Sequence, residues 1–185
     1  ELPAMGGSAL EFLGLLREAG RSEQQAGRRY IKITRAFKVG EGHRSITALP
    51  GEGLTVSYLI EHKVRCVGQE VFEIALDGAS FEKEIAPART FCLMREALLL
   101  LLLGFGRGAN LKNTLVLGNR GPLGTKMRFP NEPLRHKILD LVGDMYMLGK
   151  PVIGKIVAER SGHHLNAQLM QKLIGDGSPH HKIIQ

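Results

Sequence analysis

Leu134-Arg135-His136-Lys137-Ile138-Leu139-Asp140-Leu141-Val142-Gly143-Asp144-Met145-Tyr146-Met147-Leu148-Gly149 is the stretch around which the chain is organised. Pro133 before it and Gly149 at its end favour a helix start and a helix stop, and the apolar positions between them recur at helical spacing. The spacing predicts one helix of about four turns. Ile138, Leu141, Val142, Met145 and Leu148 form one wide apolar face that Leu139 and Tyr146 extend, so most of the helix is expected to be buried. His136, Asp140 and Asp144 follow at i, i+4 and i+8, which at about 100° per residue confines them to an arc of roughly 80°. Two readings of this stripe compete. One is a solvated edge, or a His–Asp hydrogen bond at the margin of the core, and it is the commoner use of such a pair. The other is a metal half-site, because imidazole nitrogen and carboxylate oxygen are both zinc ligands and this spacing lets them converge. A catalytic zinc usually takes three protein ligands and a water, so the pair alone is incomplete.

Upstream of this helix the pattern changes to strands. From Tyr30 to Val39 apolar residues alternate with polar ones, Arg35 being the one break, and Leu54, Val56, Tyr58 and Ile60 alternate again. Val71 to Leu76 is a further strand, and turn signals at Gly40–Gly42, Pro50–Gly53 and Asp77-Gly78 separate these pieces. Short strands joined by polar turns predict an antiparallel sheet with one face covered. Ser80 to Ile85 reads as a short helix, Met94 to Leu103 as a longer one, and Thr114 to Leu117 as a short strand. Downstream, Pro151 to Ala158 reads as another strand, and Ser161 to Asn166 turns into a last helix whose Leu165, Leu169, Leu173 and Met170 face inward. The expected fold class is therefore α+β: a two-layer sandwich with a mostly antiparallel sheet, helices on one face and a βαβ-like insert.

The N-terminal stretch carries a capping-box pattern, Ser8 to Glu11, ahead of a helix with Leu10, Leu13 and Leu16 on one face and Gly20 at its end. Arg21 to Arg28 is polar and linker-like, and residues 176–185, with the His180-His181 pair, read as a solvated tail. The leucine run Ala97 to Leu103 is too short to span a bilayer, and core is its simplest use, with an apolar ligand channel as the alternative. Gly104 to Gly108 lacks the Gly-Lys-Ser/Thr ending of a phosphate-binding loop.

Composition narrows the function. With 43% apolar and 23% charged residues the chain is globular, and its 185 residues suffice for one domain with a substantial core. A net charge of +7 points to an anionic partner, while 5% aromatic residues and no Trp give little support for stacking on nucleic acid bases. Cys66 and Cys92, far apart and without CxxC spacing, and the lack of an export signal favour a reducing, cytoplasmic setting.

Ala88-Arg89-Thr90-Phe91, Arg135-His136-Lys137-Ile138-Leu139-Asp140 with Gly143-Asp144, and Ser161-Gly162-His163 with Leu165-Asn166 occur in the order and spacing of a known family. In these motifs the chain resembles the UDP-3-O-acyl-N-acetylglucosamine deacetylases, zinc amidases of lipid A synthesis in Gram-negative bacteria, from Glu1 to about Leu173. The resemblance implies that His136 and Asp140 are Zn2+ ligands and that Asp144 holds the imidazole of His163. It implies that His163 stabilises the oxyanion and protonates the leaving amine, that Thr90 donates to that oxyanion, and that Lys137 adds positive charge. Phe91, Met94, Ala97, Leu111 and Val116 would line a passage for the acyl chain. Arg44 and Arg160 would stand near the UDP end, and Ile60 where some members carry an aromatic.

By the same resemblance, residues 1–22 correspond to the closing helix of a first domain and residues 28–175 to the second domain, with the acyl-passage insert at about 91–117. In the family the first domain supplies the third zinc ligand, a histidine, and the general base, a glutamate. No pair in this chain matches them, and Gly6 stands where aspartate is usual. The expected function is hydrolysis of the N-acetyl group of UDP-3-O-acyl-N-acetylglucosamine, with little turnover from this chain without that first domain as partner. The alternatives are a non-catalytic module that binds a nucleotide sugar or acyl group, and an RNA-binding domain suggested by charge alone.

Overall fold

A computed structural model describes residues 5–62, 64–106, 108–174 and 178–185. The first four residues of the 1–22 segment, Arg107 of the glycine-rich stretch and residues 175–177, where the second domain was expected to end, lie outside them. The elements in order are α1 (Leu10–Ala19), β1 (Tyr30–Ile33), β2 (Phe37–Glu41), β3 (Arg44–Leu49), β4 (Leu54–Glu61) and β5 (Gln69–Leu76). Next come a single turn α2 (Gly78–Ser80) that runs into a π-helical turn (Phe81–Ile85), β6 (Phe91–Leu93), α3 (Met94–Leu102), β7 (Leu115–Gly118) and β8 (Gly121–Pro122). The chain closes with α4 (Glu132–Tyr146), β9 (Val152–Glu159), α5 (His163–Leu173) and β10 (His181–Ile184).

β9 is the hub. Its first residues pair in parallel with β1 through Ile31↔Val152, and from Gly154 on it pairs in parallel with β4 and antiparallel with β3. The partners change at Gly154, whose φ of 154° and crowded surroundings exclude a side chain: a Cβ there would lie 2.7 Å from Ile33 Cδ1 and 2.8 Å from the Leu49 carbonyl oxygen. β2 and β5 flank this group, paired antiparallel to β3 and β4. Every second residue of β9 is buried, as are Val56, Tyr58 and Ile60 of β4, so one face of the sheet meets the helices. α4 packs on β4 and β5, and α5 on β2 and β3. The α+β sandwich and the βαβ insert are both present. In the insert, β6 and β7 run parallel with Phe91↔Leu115 in register and α3 between them.

Several details depart from the expectations, among them Tyr146, which is 58% exposed rather than part of the buried face of α4. The Tyr30–Val39 strand is two strands, because the Thr34 and Arg35 amides turn aside to the His180 carbonyl. The capping box does not form: Ser8 is buried, its hydroxyl accepting from Arg128, and Ala9 precedes the helix without a side-chain cap. Residues 181–184 are no solvated tail but β10, which satisfies the edge of β1, with His181 buried opposite Ile33 and the His180 ring on Phe37. The leucine run of α3 is not core, for Leu98 to Leu103 are all exposed.

Candidate active site

The polar stripe of α4 is longer than three residues. Glu132, His136, Asp140 and Asp144 succeed one another every fourth position, while Leu134, Ile138, Leu141, Val142 and Met145 on the other side are buried in the core. His136 Nδ1 lies 3.0 Å from the Ala88 carbonyl oxygen. A carbonyl only accepts, so Nδ1 carries the hydrogen and Nε2 is turned toward Asp140 Oδ1, 3.3 Å away. Burial lowers the His136 pKa, and the nearby Asp140 opposes this only in part, so the imidazole is held neutral. A neutral ring nitrogen and a carboxylate oxygen facing each other are two acceptors, an arrangement relieved by a cation placed between them. The other Asp140 oxygen accepts from Lys137 Nζ at 2.9 Å. One imidazole nitrogen and one carboxylate oxygen, the first held by a backbone carbonyl, fit a zinc ion as two of its ligands. Among the described residues no further His, Cys, Asp or Glu completes a group of three.

One turn further along, Asp144 Oδ2 accepts from His163 Nδ1 at 2.7 Å and from Asn166 Nδ2 at 2.8 Å. Asn166 is buried, and its own oxygen accepts from the Ser161 hydroxyl at 2.9 Å. Tyr58, also buried, donates to the Ser161 carbonyl oxygen at 2.7 Å, and burial, with Asp140 nearby, pushes its hydroxyl pKa up so that it remains a donor. The turn between β9 and α5 is thereby tied to β4 on one side and α4 on the other. His163 stands at its rim, its side chain 69% exposed, with Nδ1 on Asp144 and Nε2 without a hydrogen bond among the described residues.

The segment before β6 forms the third wall. The Thr90 amide donates to the Gly7 carbonyl oxygen and its carbonyl accepts from Leu115, each at 2.8 Å, while its hydroxyl makes no hydrogen bond among the described residues. Gly7, at φ 68°, has no space for a side chain, since a Cβ would lie 1.6 Å from the Asn113 carbonyl oxygen. At neighbouring Gly6 a Cβ would first meet the flexible end of Glu11. The Phe91 ring stands edge-on to the His136 ring, centroids 6.4 Å apart, and Lys137 Nζ lies 5.7 Å from its centroid.

Two clefts open from these groups. One, of about 680 Å³, is lined by Tyr58, Ile60, Phe91 and Lys137, and the other, of about 700 Å³, by His163, His164 and Gln168. Arg44, Arg160 and Ser161 belong to both. Arg160 is held at φ 47°, unusual for a side-chain-bearing residue, and its guanidinium is paired with Glu61. Of the residues expected to line an acyl passage, Met94 edges a third cleft of about 490 Å³ with Leu93, Leu98 and Leu117. Ala97 and Val116 are half-buried beside it in sequence, and the exposed Leu111 lies against Gly124. The expected residues His136, Lys137, Asp140, Phe91, Asp144 and His163 thus converge on one face.

The three motif segments and this arrangement lead to one family. The chain belongs to the UDP-3-O-acyl N-acetylglycosamine deacetylase family. Residues 1–175 match it. Among curated relatives, the UDP-3-O-acyl-N-acetylglucosamine deacetylase of an Anaeromyxobacter species is 36% identical over 181 residues, 97% of this chain and 60% of that protein. The proteins of the same name from Phenylobacterium zucineum and Neisseria gonorrhoeae are 38% and 37% identical over 94% and 95% of the chain, and 59% and 58% of their own length. The chain therefore spans about three fifths of the relatives it matches. No described helix is long and apolar enough to cross a membrane.

Glu132, Asn166 and Tyr58 are parts of the site that sequence reasoning did not assign. Glu132 was within reach, since it extends the i, i+4 register one turn back, and Asn166 lies inside a quoted motif. Tyr58 carries no signal in a strand where every second residue is apolar.

Proposed function

We propose that this domain carries half of a zinc amidase site for UDP-3-O-acyl-N-acetylglucosamine, releasing acetate and leaving UDP-3-O-acyl-glucosamine, a step of lipid A synthesis. The observation that carries the reading is the pairing of His136 Nε2 with Asp140 Oδ1 at 3.3 Å, beside a His163–Asp144 pair on the same helix face. Zinc bound by His136 and Asp140 would supply Lewis acidity, activating water and polarising the amide carbonyl. The remaining work falls to the chain's own side chains. Asp144 and Asn166 fix His163 so that its exposed Nε2 is offered to the substrate. Held through Nδ1 by a carboxylate, His163 would donate from Nε2 to the oxyanion and then to the departing amine. The Thr90 hydroxyl, without a hydrogen bond among the described residues, and the Lys137 side chain would add a donor and a positive charge. Arg44 and Arg160, shared by the two clefts, suit the diphosphate of the nucleotide. The apolar surface of the insert suits the acyl chain, with Met94, Ala97, Leu111 and Val116 as its candidate contacts.

With His136 and Asp140 as two ligands, the third ligand and the general base would come from a first domain, since no group of three His, Cys, Asp or Glu occurs among the described residues. The 185-residue chain by itself is then expected to give little turnover. The same shortfall favours the second reading, a binding module that takes the nucleotide sugar without hydrolysing it. Acetate release with one equivalent of zinc distinguishes them, measured for the chain alone, the chain mixed with the N-terminal region of a relative, and the mixture carrying His136→Ala. Release that depends on mixing and disappears in His136→Ala supports the amidase. Metal-independent substrate binding with no release in any mixture overturns it in favour of the module.

A further inference from the structure

Glu132 is fully buried, its side chain 0% exposed, and no reacting group of the proposed site touches it. Its carboxylate gathers four donors. Oε1 accepts from the Arg89 backbone amide at 3.0 Å and from Arg89 Nε at 2.8 Å. Oε2 accepts from Arg89 Nη2 at 3.1 Å and from the Arg128 amide at 2.6 Å. The first of these bonds matters most, because the Arg89 N–H belongs to the same peptide unit as the Ala88 carbonyl. A trans peptide is planar and points its N–H and C=O in opposite directions. Here the N–H reaches Glu132 and the C=O reaches His136 Nδ1, so one rigid unit spans two side chains that stand a single helical turn apart. A flip of that peptide would present a donor to Nδ1, drive the hydrogen to Nε2 and close the nitrogen that faces Asp140.

We propose that Glu132 is a positioning residue: by holding the Ala88–Arg89 peptide it fixes the tautomer of His136 with Nε2 open toward Asp140. The geometry gives Glu132 this role with or without a metal, and its consequence for zinc rests on the function proposed above. A carboxylate is required because all four surrounding contacts are donors. The amide of a glutamine would turn its own donors on some of them. The arrangement follows the general rule that partners behind a metal ligand set its orientation, and that their loss weakens metal binding roughly 10–100-fold.

The test is nitrogen-15 NMR of the imidazoles in the full, metal-free chain, followed by zinc titration of the same samples. The parent is expected to show His136 as the Nδ1–H tautomer. Glu132→Gln should give a mixture of tautomers and about tenfold weaker zinc binding, with the His163 signals unchanged. Arg89→Lys keeps the backbone N–H on Glu132 and should keep the tautomer while lowering stability. Should Glu132→Gln not fold, Glu132→Asp, one methylene short of the peptide, is expected to behave as Glu132→Gln does. Retention of the Nδ1–H tautomer in the folded Glu132 variant, or its equal loss in Arg89→Lys, would overturn the proposal and leave Glu132 a structural ion-pair partner. If His136→Ala binds zinc as tightly as the parent, the metal reading of His136 fails, and the tautomer measurement still decides the role of Glu132.

Discussion

α4 and α3 both carry several leucines, and the fold treats them in opposite ways. In α4 the apolar residues return every third or fourth position, so one side is sealed in the core, with Ile138 0% exposed, and the other carries Glu132, His136, Asp140 and Asp144. Each of those four polar side chains has a named partner. In α3 the leucines are consecutive and point all round the axis, and Leu102 is 85% exposed. It packs against β6 and β7. The difference teaches that apolar content by itself does not place a helix in the core. Periodicity does, because it supplies one face for a sheet and leaves another free for chemistry.

The comparison can be broken most severely at the polar side of α4. Glu132→Ala leaves Arg89 as a buried charge without its partner and is expected to cost about 3–5 kcal/mol in denaturant unfolding. A cost under about 1 kcal/mol would show that Arg89 finds another partner. The same carboxylate has a pH signature. Burial pushes its pKa up, the bonds from Arg89 and Arg128 outweigh that, and the result lies below the ordinary value of 4.5. A depressed folded pKa means that the unfolded chain takes up the proton first as pH drops. The contribution is therefore complete above pH 4.5 and is lost as pH falls through the folded value. Glu132→Gln should flatten that part of the stability profile.

On the apolar side of α4, Ile138→Ala opens a cavity in a fully buried position and should cost about 2–5 kcal/mol, read by the same unfolding measurement. The smallest effect is expected in α3, where Leu102→Gln should change stability by less than about 0.5 kcal/mol. A loss well above 1 kcal/mol, particularly one that varies with protein concentration, would mean that α3 is covered in solution by another copy and would remove the contrast.

The legible part of the fold was the part governed by local periodicity. The α4 span, the alternation of β4 and β9, and the buried Leu169 and Leu173 of α5 all follow from spacing. The β10 strand was not legible, because a single edge strand with His181-Lys182 looks like any polar tail until β1 offers an unpaired edge. The split between β1 and β2 has a similar cause, since the bonds that end β1 come from His180, far away in sequence. At the site, His136, Asp140 and Asp144 could be grouped from their register alone. His163, Thr90 and Phe91 could be joined to them only through the resemblance.

By itself, the sequence determined that α4 is amphipathic, that a mostly antiparallel sheet is covered by helices on one face, and that a His–Asp–Asp stripe runs along one side. These properties depend on repeats a few residues long, which the backbone geometry converts directly into faces. Only the tertiary structure decided that the His136 imidazole is neutral, which of its nitrogens is open, and which peptide Glu132 holds. Those properties depend on the Ala88–Arg89 peptide and on Asn166, brought close by the sheet and α5 from distant parts of the chain. Burial and hydrogen-bond direction arise from such encounters, and no local pattern encodes them.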